Sequence, residues 1–148
     1  MANLNVTIPA VKLNDGNSIP MLGYGVGTAW GKKEEGKVDQ AIIDGVKTAI
    51  KLGYYHLDGA ECKCCRGCPC INSLVTDRFV AYKNETELGQ AIKDSGVDRS
   101  KLFVTTKIWE PTGQTGDIER ALKESLKKLQ LDYVDLWVLL FVIFYLCS

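Results

Sequence analysis

The feature that most constrains the fold is a regular alternation of strand-like and helix-like segments along the 148 residues. Apolar residues at helical spacing predict helices, and short apolar or β-branched runs predict strands. The predicted strands cover residues 22–26, 54–57, 102–108 and the segment from Tyr133 onwards, and the predicted helices cover residues 38–52, 85–95 and the segment after Asp117. Asn84 and Glu87 have the N-cap and third-position spacing of a capping box before the second helix, and Asp117 is expected to cap the third. Strands that alternate with helices indicate parallel βαβ units.

A hairpin precedes these units. The turn sequence Asn14-Asp15-Gly16-Asn17 lies between two short apolar runs, and Asp-Gly in such a position is typical of a hairpin turn. A length of 148 residues favours one domain, residues 1–148.

Two parallel architectures compete, an open doubly wound sheet and a (β/α) barrel. Residues 23–27 read GYGVG, which differs from the GxGxxG fingerprint of nucleotide-binding doubly wound sheets, whereas alternating glycines suit a curved barrel strand. Asp58 and Lys107 end their predicted strands, where barrel enzymes place catalytic groups. We therefore predict an α/β fold that is a partial (β/α)8 TIM barrel: a hairpin, about three βα units and a fourth strand.

Bulk composition narrows the class of partner. The net charge is zero, so no nucleic-acid partner is expected. Residues 1–7 lack a basic stretch followed by an apolar one, which predicts no secretory signal and a cytoplasmic location. The apolar run at residues 136–147 is shorter than the roughly 20 residues of a membrane span, so no membrane partner is expected either.

Three short stretches carry the polar residues of interest: HLDGAE from His56, YKNE from Tyr82 and VTTKIW from Val104. Considered one at a time, Asp58 would be interpreted as a turn or cap residue. Lys107 would be interpreted as a solvated lysine, and Tyr82 as a packing residue. Together at predicted strand ends they offer a carboxylate, a phenol and an ammonium. His56, the one histidine, is expected to be a neutral core residue.

These stretches, with GYGVGTAW and LKKLQLDYVDL in the same order, resemble the N-terminal half of the aldo-keto reductase family over residues 5–61 and 82–136. GTAW followed by Lys32 and Lys33 resembles the fungal ketone-reducing branch. The resemblance implies an eight-stranded barrel with a hairpin across its floor, and hydride transfer between NADPH and a small carbonyl substrate without a metal. It also implies a monomer whose contacts to the cofactor's phosphate and adenosine come mostly later in the chain.

The same resemblance assigns roles. Tyr82 would be the general acid, Lys107 the ammonium that favours release of its proton, and Asp58 the carboxylate that orients Lys107. Thr28 and Trp30 match a stretch that lies against the nicotinamide in the family. The family's fourth catalytic member is a histidine, and the register of LDYVDL places Leu140 at that position.

A cysteine-rich block, residues 62–80, separates the first stretch from the second. Its CxCC and CxC spacing could bind zinc or copper(I), although it lacks a second CxxC and a nearby histidine. Removal of the block leaves a nearly seamless family motif, and Cys-Lys and Val-Ala at its ends can be encoded by splice-site consensus sequences. We therefore favour a translated intron over a metal-binding module. On this interpretation residues 62–80 are an inserted loop, and we assign no metal ligands.

Residues 137–148 form an apolar tail that departs from the family pattern. Three functions remain open: a truncated NADPH-dependent reductase with impaired activity, a thiol-rich metal-binding module, and a non-catalytic fragment. Exposed apolar edges would let the fragment self-associate.

Overall fold

The computed structural model describes residues 7–27, 37–62, 83–109 and 115–139. The strands are β1 (Ala10–Lys12), β2 (Ser18–Pro20), β3 (Gly23–Gly25), β4 (His56–Asp58), β5 (Glu61–Cys62), β6 (Phe103–Trp109) and β7 (Leu136–Leu139). The α-helices are α1 (Gln40–Lys51), α2 (Glu85–Ser95) and α3 (Thr115–Leu129). The predicted hairpin, three βα units and following strand are confirmed.

The hairpin closes at the predicted Asp-Gly turn. β1 and β2 pair antiparallel, and Gly16 has a φ of 90°, a conformation that glycine adopts without steric cost. The Asp15 carboxylate accepts hydrogen bonds from the backbone N–H of Asn17 at 2.9 Å and from its side-chain amide at 3.0 Å. Local turn chemistry therefore sets this element.

The main sheet is parallel, with β4 between β3 and β6 and with β7 on the far side of β6. β4 and β5 share one edge of β6, because Thr105 pairs with both Asp58 and Leu136, and Ile108 pairs with both Glu61 and Leu139. The sheet thus has four strand positions. The described residues form an open parallel sheet and no closed barrel, as expected for a partial barrel.

Two predicted segments begin inside regular strands. Cys62, the first residue of the predicted insertion, pairs with Trp109 as the last residue of β5. Residues 137–139, assigned from sequence to the divergent tail, complete β7 beside β6. Residues 63–80 and 140–148 lie outside the described residues, so the inserted loop and the divergent tail remain predictions.

The core lies between the sheet and its helices. α1 begins at Gln40 because the Asp39 carboxylate accepts the backbone N–H of Ala41 at 2.9 Å, and Gly53 follows its end with a φ of 92°. Side chains from α1, α2, the end of α3 and the strands form one cluster, which includes Ile42, Val46, Leu57, Leu88, Ala91, Val104 and Leu129.

α2 and α3 pack closely at a glycine. A β-carbon at Gly89 would lie 2.3 Å from the backbone oxygen and 2.7 Å from the Cα of Leu129, the last residue of α3. α3 begins at Thr115, so the prediction that Asp117 caps this helix is wrong: Asp117 lies inside it. None of the helices in the described part of the chain has the length and apolar content to cross a membrane.

Candidate active site

The structure brings Asp58 and Lys107 into direct contact. Asp58 ends β4 and pairs in register with Thr105 of β6. Lys107 lies two residues beyond Thr105 on the same strand. The Lys107 ammonium donates hydrogen bonds to the Asp58 carboxylate and, at 3.2 Å, to the carbonyl oxygen of Gly59. The Lys107 side chain is 27% exposed and that of Asp58 is 35% exposed, so solvent and small molecules can reach the pair.

Strand alternation explains why these two polar side chains meet. Leu57, which precedes Asp58, and Val104, three residues before Lys107, are fully buried in the core against the helices. Because successive side chains of a strand point to opposite faces, Asp58 and Lys107 point away from the helices. Parallel pairing of β4 with β6 then sets both at the carboxyl ends of adjacent strands, as the sequence predicts.

A second polar cluster fixes the start of α2 beside this pair. The Asn84 amide donates to the carbonyl oxygen of Val26 at 2.6 Å, and its oxygen accepts the N–H of Ala60 at 3.4 Å. Next to it, Glu85 accepts a hydrogen bond from the Thr106 hydroxyl at 2.7 Å. Since Thr106 precedes Lys107, these bonds hold the segment that follows Tyr82 against the strand ends that carry Asp58 and Lys107.

The predicted capping box at Asn84 and Glu87 is wrong. Asn84 precedes α2, but its side chain makes no capping hydrogen bond, because it is engaged with the ends of the first two strands of the sheet. Glu87 instead accepts the backbone N–H of Asp39 at 3.1 Å, which joins α2 to the start of α1. Residues with capping spacing thus serve long-range contacts.

Sequence reasoning missed Asn84 and Glu85 as members of the site. One signal could have found Glu85: it lies on the same helical stripe as the buried residues Leu88 and Ile92, and a charged residue on an apolar stripe is buried against a partner. Asn84 offers no comparable signal, because its partners come from distant segments.

His56 lies in the sheet beside the candidate pair. Its Nε2 is 3.1 Å from the Thr105 hydroxyl oxygen, and its ring contacts Phe103 edge-on with 5.2 Å between centroids. A β-carbon at Gly23 would come within 2.9 Å of its Nδ1, so this glycine makes room for the ring. These contacts support a packing role, and its neutral form remains a prediction.

The other predicted site residues lie outside the described residues: Tyr82, Thr28 and Trp30, together with Leu140. Their roles therefore stay predictions. Within the described ranges, no group of three His, Cys, Asp or Glu side chains is arranged to hold a metal ion.

Replacing Asn84 with alanine is expected to lower the free energy of unfolding by about 2 kcal/mol, because the buried Val26 carbonyl and Ala60 N–H lose their partner. Urea denaturation followed by circular dichroism measures this loss. Gln40→Ala is a matched control, since it removes an exposed amide whose bond to Asp44 stays within one helical turn. Equal stability of the Asn84 variant and the wild type would contradict the structural role of this amide.

Comparison with known proteins places the chain in a family. The profile of the Aldo/keto reductase family matches residues 22–146. The NAD/NADP-dependent indole-3-acetaldehyde reductase of Schizosaccharomyces pombe is 41% identical over 124 residues, which are 84% of this chain and 36% of that protein. The resemblance stated from the sequence motifs is confirmed, and fungal reductases are among the relatives.

Solved structures agree with this placement. The aldo/keto reductase from Brucella melitensis is 37% identical with a TM-score of 0.64, over 90% of this chain and 40% of that one. The Bombyx mori aldo-keto reductase AKR2E4, solved in complex with NADP, is 35% identical with a TM-score of 0.64, over 90% of this chain and 38% of that one. The chain therefore spans well under half the length of these relatives. On the evidence of its strand-end site, its family profile and these likenesses, the chain belongs to the aldo/keto reductase family.

Proposed function

We propose that the Asp58–Lys107 site belongs to a reductase that converts small aldehydes or ketones to alcohols with NADPH as the reductant. The observation that carries the proposal is the Lys107 ammonium, fixed by the Asp58 carboxylate and the Gly59 carbonyl at the carboxyl ends of parallel strands. An ammonium that is held in this way can lower the pKa of a neighbouring proton donor without a metal ion.

The reaction adds two hydrogens in different forms. When bound, NADPH supplies a hydride to the carbonyl carbon. The carbonyl oxygen must take a proton, and we assign its donation to the Tyr82 hydroxyl. A free tyrosine has a pKa of about 10, so an unassisted phenol is a slow donor near neutral pH. A neighbouring ammonium stabilises the phenolate that remains, which is the role we assign to Lys107.

Asp58 and the polar cluster at the start of α2 position the groups that take part in this transfer. Asp58 holds the Lys107 ammonium in one place, so that little reorganisation is needed when charge develops on the phenol. Asn84 and Glu85 anchor the segment after Tyr82 to the strand ends. We assign Thr28 and Trp30 to the nicotinamide end of the cofactor, a small carbonyl compound as the substrate, and the cytoplasm as the location.

For the 148 residues by themselves we propose little or no turnover. The chain spans 36% to 40% of the length of the relatives cited above, and NADPH would lack the contacts that the rest of a relative supplies. Leu140, at the register of the family histidine, cannot share a proton with the substrate, and loss of one such partner costs about 10²- to 10³-fold in rate.

The test compares two proteins by the fall in absorbance of NADPH with a panel of aldehydes and ketones. One is the 148-residue chain. The other, here called the completed chain, is residues 1–139 followed by the remaining C-terminal part of the S. pombe reductase. The completed chain should oxidise NADPH in a carbonyl-dependent way, and the 148-residue chain should show at most about a hundredth of that rate.

A third protein, the completed chain without residues 62–80, tests the insertion. If the block is an insertion that disturbs the position of Tyr82, its removal should raise turnover. No carbonyl-dependent oxidation by either completed version would refute the reductase proposal and favour a non-catalytic fragment. Stoichiometric zinc or copper in the purified 148-residue chain, lost on thiol alkylation, would favour the thiol-rich module.

A further inference from the structure

His56 and Thr105 lie on the face of the sheet that carries the candidate pair. His56 precedes Asp58 by two residues on β4, so strand alternation directs both side chains to one face. Thr105 likewise precedes Lys107 by two residues on β6, and it is the register partner of Asp58. The reaction proposed above gives neither His56 nor Thr105 a role.

A short series of hydrogen bonds joins His56 to the Lys107 ammonium. The His56 Nε2 is 3.1 Å from the Thr105 hydroxyl oxygen, which links β4 to β6 through side chains. The Thr105 carbonyl oxygen accepts the N–H of Gly59 at 2.9 Å, and the Gly59 carbonyl oxygen accepts a hydrogen bond from Lys107 at 3.2 Å. The ammonium is therefore held by a peptide unit that is itself bonded to the residue His56 contacts.

The His56 ring has a fixed place in the sheet. Its edge-on contact with Phe103 limits its tilt, and a β-carbon at Gly23 would lie 2.9 Å from its Nδ1. Thr105 is buried, and a buried hydroxyl needs a hydrogen-bond partner. Packing against Phe103 requires only a ring, whereas the Thr105 hydroxyl requires the nitrogen.

We propose that His56 is a positioning residue for carbonyl reduction. Its neutral imidazole holds Thr105, and Thr105 holds the Lys107 ammonium through the Gly59 peptide. The proposal rests on the reductase function proposed above and extends it to a residue that does not touch the reacting groups. A displacement of about 1 Å in a catalytic group can cost about 10²-fold in rate, so a bond remote from the substrate affects turnover.

The charge of the ring matters because a carboxylate lies next to it. In the described part of the chain, the charged groups on this face of β4 and β6 are Asp58 and Lys107, and the β3 residues that pair with β4 there are Gly23 and Gly25. Side chains two residues apart on a strand are about 7 Å apart. A protonated ring would attract the Asp58 carboxylate and compete with Lys107 for it. Histidine changes its charge between about pH 8 and pH 5, so the rate should fall toward the acid end of this range.

The test measures kcat and KM of the completed chain with His56→Gln and with His56→Asn. The glutamine amide reaches about as far as Nε2 and can still bond Thr105, whereas asparagine reaches only the position of Nδ1. His56→Asn should lower kcat by about tenfold or more with KM within about twofold, and His56→Gln should keep kcat within about threefold of the wild type.

Thr105→Val tests the other side of the same bond. It removes the hydroxyl and keeps the branched shape, and it should lower kcat as much as His56→Asn does. Both changes together should be no slower than either alone within about threefold, because they break one bond. Thr48→Val is the matched control, since Thr48 is exposed and its hydroxyl donates to the Asp44 carbonyl within the same helix; kcat should not change.

The pH dependence of kcat separates positioning from packing. The wild-type rate should fall toward acid pH more steeply than that of His56→Gln, whose amide gains no proton in this range. Identical pH profiles would overturn the proposal. So would a wild-type kcat in His56→Asn, or a His56→Gln variant as slow as His56→Asn. If His56→Asn loses its circular dichroism spectrum, Thr105→Val takes its place in these comparisons.

A separate measurement distinguishes failure of this proposal from failure of the reductase function. If the completed chain is inactive, the reductase function fails, and amide hydrogen exchange of the 148-residue chain shows whether His56 positions Gly59. The Gly59 N–H should exchange at least about tenfold faster in His56→Asn than in His56→Gln. Equal exchange in the two variants would overturn the positioning role as well.

Discussion

Gly89→Ala is expected to lower the free energy of unfolding by about 3 kcal/mol or more, because the added methyl group overlaps the backbone of Leu129. The nearest atoms are the carbonyl oxygen at 2.3 Å and the carbonyl carbon at 2.5 Å. A backbone cannot change rotamer to make room, so α2 and α3 must move apart and open the core around Leu88. The gain in helix propensity of about 1 kcal/mol does not offset this.

Gly25→Ala is the matched control for that substitution. Its β-carbon would meet nothing within 4 Å, so the same chemical change should alter the free energy of unfolding by less than about 1 kcal/mol. Urea denaturation of both variants beside the wild type measures the difference. If the two variants unfold at the same urea concentration, the close contact between α2 and α3 is not present in the protein.

Lys107→Met in the completed chain is expected to lower kcat/KM by about 10²- to 10⁴-fold. Methionine keeps much of the side-chain length and removes the ammonium that we propose to assist proton donation. It also leaves the Asp58 carboxylate without this partner. Because the pair is part-exposed, water can solvate that carboxylate, and the loss should fall on activity more than on folding.

Lys101→Met is the control for charge removal. Lys101 is exposed in the short 3-10 helix Arg99–Lys101, at the opposite end of β6 from Lys107. Its replacement should leave kcat/KM within about twofold, since it removes a solvated charge. Circular dichroism of both variants shows whether folding is intact. A normal rate with Lys107→Met would remove this lysine from the chemistry.

The order of the elements could be predicted because hydrophobic periodicity is a local property. α2 begins and ends at the predicted residues, and α1 differs from its predicted range by two residues at the start and one at the end. α3 begins two residues earlier than the position at which Asp117 was expected to act as a cap. Helix ends are the least determined by local pattern, since the first turn depends on what surrounds it.

Long-range partners could not be read from the sequence. Asn84 has the spacing of a helix cap, yet its amide bonds Val26, which is 58 residues away along the chain. A fully buried amide gains more from satisfying two otherwise unpaired backbone groups than from capping a helix. Glu87 is also fully buried, and it accepts the backbone N–H of Asp39, 48 residues away, instead of bonding at the start of its own helix.

β5 shows how a long strand organises its neighbours. The sequence suggests an insertion from Cys62 onwards, but β6 is seven residues long and β4 is only three. Beyond Asp58 the edge of β6 would have unpaired backbone groups, and Glu61 and Cys62 pair with Ile108 and Trp109 there.

The contact between Asp58 and Lys107 could be predicted from the sequence for a simpler reason, since strand alternation and parallel pairing alone bring the two residues together.

The most direct test of the central claim is a double-mutant cycle on kcat/KM in the completed chain, with Asp58→Asn, Lys107→Met and both together. If Asp58 acts by holding the Lys107 ammonium, the double variant should be no slower than Lys107→Met within about threefold, because residues that work as a unit are strongly non-additive. If the two losses multiply, the two residues act independently, and the account of a single Asp58–Lys107 catalytic unit is contradicted.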